Sequence, residues 1–273
     1  MPPRRIKFLP ALIPVVVALA LCLGAPLHAK EKAAPAAQKK ELTAEEQKLL
    51  EEPEKACRAK LEVQMDTLGR EHPETLKTRL QLAQALQAQH KPRDATEELW
   101  KVVNIRERVL GDEHPDTVKV RYELADALFS QIEIAAAAVH YRSLLAIFQH
   151  RLGLEHPDTL MCRYKLALTL LNPLPGTDSD PVAAAKEHRA ILAIRERVLG
   201  AEHPDVFDSC HSLAQCIKYR KNGKEALTLF QRAEAGYLKI YGPEDPRYKY
   251  AKNRRQEVEE NLKRPKAKKR GGR

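Results

Sequence analysis

The chain has 273 residues, enough for one large domain or two ordinary ones, and a formal net charge of +10. That charge sits at the two ends: Arg4, Arg5 and Lys7 supply three, and the seven Lys and Arg from Lys263 to Arg273 supply the rest. Phe8 to Leu262 is neutral, so composition gives no support to a nucleic-acid-binding surface between the ends.

The first 29 residues read as an export signal. Arg4, Arg5 and Lys7 form a basic start, Phe8 to Gly24 is apolar apart from Pro10 and Pro14, and Leu27-His28-Ala29 offers a cleavage site with an imperfect Leu at its outer position. An uncleaved membrane anchor is the alternative, and a lipoprotein reading at Leu19-Ala20-Leu21-Cys22 is weaker because Leu21 is bulky. Either way the expected location is extracytoplasmic, periplasmic or secreted. Residues 30–42 (KEKAAPAAQKKEL) read as a solvated linker.

Four copies of one string then recur: Leu68-Gly69-x-Glu71-His72-Pro73, Leu110-Gly111-x-Glu113-His114-Pro115, Leu152-Gly153-x-Glu155-His156-Pro157 and Leu199-Gly200-x-Glu202-His203-Pro204. A decayed copy follows at Tyr241-Gly242-Pro243-Glu244-Asp245-Pro246, and successive prolines are 42, 42, 47 and 42 residues apart. A fixed period of this size marks stacked units, none able to bury its apolar face alone.

Each unit resolves into two helices. Counting from each Pro, Leu76, Val118, Leu160 and Phe207 stand three residues on. Leu82-Ala83, Leu124-Ala125, Leu166-Ala167 and Leu213-Ala214 follow at nine and ten, and Leu86, Leu128, Leu170 and Ile217 at thirteen. That spacing is one face of a helix whose first residue is Pro. Counting back from each Gly, Ala95, Ala137, Ala184 and Ala226 stand sixteen residues before, and Val102, Leu144, Ile191 and Ala233 nine before. Leu110, Leu152, Leu199 and Tyr241 close this second helix, and Gly ends it in a left-handed conformation. Residues 43–68 read as an orphan second helix capping the array, and 246–263 as a polar first helix closing the other end. The five-residue excess of the third unit lies in its inner turn at 172–181, where Asp180 before Pro181 has the position of a helix N-cap. The last stretch, 263–273, reads as a basic disordered tail.

The Leu-Gly-x-Glu-His-Pro-Asp-Thr strings, pairs such as Leu124-Ala125, and the string IRERVLG at both 105–111 and 194–200 resemble tetratricopeptide repeats, in the 42-residue form of kinesin light chain and its bacterial relatives. The resemblance implies an all-α, right-handed solenoid of antiparallel helical hairpins over residues 43–262, with four full repeats and a capping helix at each end. It also implies a non-catalytic scaffold that binds a protein or peptide in a concave groove lined by the first helices. Carried onto this chain, the groove positions include Lys77, Gln84, Lys119, Tyr122, Asp126, Phe129, Met161, Tyr164, His211 and Gln215. The paired Asn that grip a peptide backbone in kinesin-type repeats are absent: Leu80-Gln81, Tyr122-Glu123, Tyr164-Lys165 and His211-Ser212 stand there.

Other chemistry is weaker. His72, His114, His156 and His203 recur at the repeat distance and do not converge as metal ligands must, so they read as turn-shaping residues, and no metal or cofactor is expected. Cys57 and Cys216 fall in core columns, and Cys162 and Cys210 leave a disulfide open. Arg79, Arg121 and Arg163, six after each Pro, read as surface partners of nearby Glu, of small energy. No phosphate loop, HExxH or GxSxG is present, and an enzyme is not expected. The rival to the scaffold is a rigid spacer whose basic tail contacts an anionic polymer or membrane surface, with nucleic acid disfavoured by export.

Overall fold

The computed structural model describes residues 44–171, 179–218 and 222–263. The export signal, the linker to residue 42, most of the inserted loop and the tail beyond Lys263 lie outside the described residues. Those residues form helices and turns only: α1 (Ala44–Thr67), α2 (Pro73–Ala88), α3 (Pro92–Leu110), α4 (Pro115–Ser130), α5 (Ile134–Leu152), α6 (Pro157–Thr169), α7 (Pro181–Leu199), α8 (Pro204–Ile217), α9 (Gly223–Tyr241) and α10 (Pro246–Lys263). They divide into two compact units that meet in the chain between Ser179 and Asp180, at the end of the inserted loop. One unit holds α1 to α6 and the other α7 to α10, and within each unit every helix packs on the next. The two helices of the third repeat therefore belong to different units.

Every first helix begins with the same local device. Pro occupies the first helical position, where a missing amide hydrogen costs nothing. The preceding His is the N-cap: Nδ1 of His72, His114, His156 and His203 accepts the backbone amide of Glu74, Asp116, Asp158 and Asp205 at 3.3, 3.2, 3.2 and 3.2 Å. We assign the ring hydrogen to Nε2 because Nδ1 accepts. In the decayed fifth copy Asp245 takes the His position, and its Oδ1 accepts the Arg247 amide at 2.8 Å. The histidines of the repeated string thus take the role usually filled by Ser, Thr or Asp. At α7, Asp180 caps in the ordinary way, its Oδ1 accepting from Val182 and Ala183 at 2.9 and 3.0 Å.

The helix stops differ from expectation in one respect. Gly111, Gly153, Gly200 and Gly242 have φ of 91, 89, 87 and 84° with ψ of 161, 174, 157 and 176°. This is the mirror image of extended backbone rather than the left-handed helical region, and it is open almost only to Gly. The chain is thrown straight off the helix end into the His-Pro start of the next. The leucines before these glycines are also not core residues: Leu68, Leu110 and Leu152 are 46, 43 and 42% exposed.

The core follows the sequence columns. Ala95, Ala137, Ala184 and Ala226 are fully buried, as are Val102, Leu144, Ile191 and Ala233. Leu82, Leu124 and Leu213 are buried with Ala83, Ala125 and Ala214 beside them. Small residues at the contact let helix axes approach closely. The arginine column departs from its surface reading. Arg79 and Arg121 are buried, Arg79 Nη1 donating to Glu98 Oε2 at 2.6 Å and Arg121 Nη2 to Glu107 Oε1 at 2.8 Å. Both reach a second helix: Arg79–Glu98 locks α2 to α3 within one hairpin, and Arg121–Glu107 ties α4 to α3 of the preceding hairpin. The twin IRERVLG strings act alike: Arg106 and Arg195 each donate to the carbonyl of Asp116 and Asp205, at 2.8 and 2.9 Å.

Cys57, Cys162, Cys210 and Cys216 are free thiols, with only Cys57 partly exposed. Burial pushes the thiols of Cys162 and Cys216 up to about 12 and that of Cys210 to about 11, which keeps them inert. No helix among the described residues is long and apolar enough to cross a membrane.

Candidate functional site

In the unit of α1 to α6, the first helices leave one strip uncovered. On α2 it consists of Lys77, Gln81 and Gln84, all exposed. On α4 it consists of exposed Lys119 with half-buried Glu123 and Asp126. These residues stand four, eight and eleven after Pro, spacings of four and three that keep them in line along a helix. Tyr122 on α4 and Met161 on α6 are half-buried beside the strip, whereas Phe129 and Tyr164, expected as exposed anchors, are each 4% exposed and belong to the interior.

A polar cluster organises the far end of the α4 strip. Tyr141, from α5, is completely buried, and its hydroxyl donates to Asp126 Oδ1. Lys165, from α6, is buried as well, and its Nζ donates to both Asp126 oxygens at 3.0 and 3.2 Å. Three helices are thereby tied to one carboxylate. Tyr122 and Phe129 complete the cluster, their rings meeting the Tyr141 ring edge-on with centroids 6.3 and 6.4 Å away. Burial, with Asp126 adding to it, pushes the Tyr141 phenol far above its ordinary range. The structure thus places Tyr122, Asp126 and Phe129, all read from the sequence as groove residues, around the buried Tyr141. Asp126 is satisfied within the chain.

In the unit of α7 to α10, the corresponding residues of α8 turn inward. His211 is 3% exposed, with the Phe230 ring of α9 and the Tyr250 ring of α10 at 5.2 and 5.1 Å. Gln215 Nε2 donates to the Tyr250 hydroxyl at 3.0 Å, and Lys218 Nζ lies 3.8 Å from Glu257 Oε1. The last helix therefore lies over the α8 face that the sequence assigned to a groove. Burial holds the Lys218 ammonium down at about 8, partly offset by Glu257. The Tyr237 hydroxyl donates to Asp208 Oδ1 at 2.6 Å, and burial raises the Asp208 carboxyl above the ordinary range.

The groove residues read from the sequence did not include Glu123, Tyr141, Lys165 or Tyr250. The first had a signal, because position eight is in line with four and eleven. The others had none, since each acts on a helix other than its own. Among the described residues, no three His, Cys, Asp or Glu side chains gather as a metal site would require.

The tetratricopeptide repeat family matches residues 75–116, 117–158 and 182–205. Two crystal structures of a candidate kinesin light chain from Podosopora anserina, with nearly identical TPR-like repeats, are similar to this chain. One, of a form with a single Gln-to-Met substitution, is 27% identical with a TM-score of 0.60, covering 71% of this chain and 90% of that one. The other is also 27% identical with a TM-score of 0.59, covering 72 and 92%. The chain carries tetratricopeptide repeats over the matched segments, and its fold is similar to that of the kinesin-light-chain type. BtubC (BKLC) from P. vanneervenii shares the fold at 14% identity, with a TM-score of 0.54 over 82% of this chain and 97% of that one. No curated protein matches the chain in sequence. Tetratricopeptide repeats generally mediate protein–protein contacts and are typically non-catalytic.

Proposed function

We propose that this repeat protein is exported and holds a protein or peptide partner along the uncovered strip of its first helices, with Lys77, Gln81, Gln84, Lys119, Tyr122 and Glu123 making the contact. The observation that carries this reading is a contrast between columns. Core positions repeat their chemistry, as in Leu82, Leu124 and Leu213, while strip positions change from Gln81 to Glu123 and from Gln84 to Asp126. Stability alone demands sameness only of the core, and a variable polar strip beside a half-buried Tyr is what partner recognition uses. Export rests on the basic, apolar and small-residue order of the first 29 residues.

The test is affinity capture from the cell-envelope fraction with the full chain, with a Lys77→Glu/Lys119→Glu variant and with a chain ending at Leu262. A partner lost with the double variant and kept by the shortened chain supports the strip. One lost only on shortening, and released by moderate salt, replaces it with the basic tail as the contact. N-terminal sequencing of the mature protein checks export: a start at Lys30 is expected, and an intact Met1 in the cytosol would refute it.

A further inference from the structure

Among the described residues, Glu123 is the partly buried strip residue whose charge no hydrogen bond or ion pair answers. Its neighbour on the strip, Asp126, is neutralised by Lys165 and by the Tyr141 hydroxyl. Glu123 itself is half-buried and, among the described residues, has no hydrogen bond or ion pair. Lys119, one turn before it, is exposed and makes no ion pair with it, and Arg106 is engaged with the Asp116 carbonyl at 2.8 Å. A carboxylate taken halfway out of water without a partner is a cost to the fold. The carboxyl accordingly stands above its ordinary range, because burial outweighs the distant attraction of Lys119 and Arg106.

Every other partly buried acid on α3 to α6 has a partner that explains it, as Glu98 has Arg79 and Glu107 has Arg121. Those partners come from a neighbouring helix, Arg79 from the same hairpin and Arg121 from the next one. Glu123 stands on the uncovered strip instead, where, among the described residues, no cation of a neighbouring helix comes into hydrogen-bond or ion-pair contact with it, Arg106 of α3 acting only from a distance. We infer that Glu123 receives a Lys or Arg side chain of the bound partner, with the half-buried Tyr122 ring alongside to contact its aliphatic stem or guanidinium face. The inference rests on the strip being the binding surface, and it makes the partner segment basic at that point. Charge complementarity selects this occupant: an acidic segment would meet Glu123 as well as the already neutralised Asp126. Desolvation of the carboxylate is already part of the folded state, so a cation arriving there gains more than it would at a fully exposed Glu.

Random-peptide display on the full chain, the Glu123→Gln variant and the Tyr122→Ala variant tests this. The expected result is enrichment of peptides carrying one Lys or Arg at a fixed position, bound about tenfold more weakly by Glu123→Gln and more weakly still in high salt. Replacement of that Lys or Arg by Gln in the peptide should lower affinity for the wild-type chain and leave binding to Glu123→Gln unchanged. Peptides that need Tyr122 but carry no common cation, or that bind Glu123→Gln equally well, would overturn the inference while the strip stands. Failure to enrich any peptide that is sensitive to Tyr122→Ala would overturn the strip and the inference with it. Circular dichroism of both variants guards against misfolding, and Glu123→Gln, which removes an unpaired charge, is expected to be as stable as the parent or slightly more so.

Discussion

His114 Nδ1 accepts the backbone amide of Asp116 at 3.2 Å, and the same bond stands at the head of α2, α6 and α8. An imidazole here replaces the hydroxyl or carboxylate that usually closes a helix N-terminus. His114→Ala should lower stability by about 1 kcal/mol, and His114→Asp should restore it, since Asp245 performs the same task at α10 with a 2.8 Å bond. Urea denaturation of the two variants is the check. Equal loss in both would show that the ring matters for packing rather than capping.

Gly111 tests backbone conformation apart from packing. A methyl group built there meets nothing within 4 Å, yet φ is +91° with ψ at 161°. Gly111→Ala should therefore cost about 1–3 kcal/mol through strain alone. Asn, which tolerates the left-handed helical region, should rescue little of it. A thermal midpoint unchanged in Gly111→Ala would mean that the turn relaxes to another geometry.

Ile132 presents the opposite opportunity. It has φ of +68°, a β-branched side chain and 40% exposure. His90 holds the same place in the preceding hairpin with φ of +57°. Ile132→Gly and Ile132→Asn should each stabilise the unit by about 1 kcal/mol, because the left-handed conformation penalises Ile most. A lower denaturation midpoint in both variants would show that the Ile132 side chain makes a contact worth more than the strain.

The Arg79–Glu98 pair is predicted to be costly to halve and cheap to replace. Both side chains are about nine-tenths buried and 2.6 Å apart. Glu98→Ala strands a guanidinium and should destabilise by about 3 kcal/mol. Arg79→Leu/Glu98→Leu should recover most of that loss. A double-mutant cycle measures the coupling, and a value near zero would return the pair to the surface role read from the sequence.

Acid should weaken the unit of α7 to α10 through its buried imidazoles. Burial, aided by Arg195 for His188 and by Lys218 and Arg254 for His211, holds both rings down at about 3. In the unfolded chain they titrate near about 6.5. Between those values the unfolded state binds protons that the folded state refuses. Stability is therefore full above about 6.5 and falls continuously as pH drops toward 3. The urea midpoint of this unit should be lower at pH 5 than at pH 7, and His211→Phe, which keeps the ring contacts, should flatten that dependence. An unchanged slope in His211→Phe would contradict the assignment.

Much of this architecture is legible in the residues because the signals are local. Pro at the helix start, His before it, Gly after the helix, and Leu and Ala at helical spacing each act within a few residues of themselves. Asp180 announced its cap from the Pro181 that follows it. Less of the candidate site was legible. Lys77, Gln84 and Lys119 are exposed as predicted, but Phe129, Tyr164 and His211 are interior, since an apolar residue in line with a groove and one in line with a core look alike until the neighbouring helix is placed.

What the sequence determined by itself is therefore the repeat, its helix boundaries, its alanine and leucine core and the polar ends of the array, all consequences of backbone conformation and one-faced burial. Only the tertiary structure decided which charges are spent. Lys165 meets Asp126 across 39 residues and Tyr141 meets it across 15, while Glu123, three residues from Asp126, has no hydrogen bond or ion pair among the described residues. Electrostatic pairing depends on distances of a few ångströms between separate helices. A linear pattern does not contain those distances, and they are what distinguish a satisfied carboxylate from one that awaits a ligand.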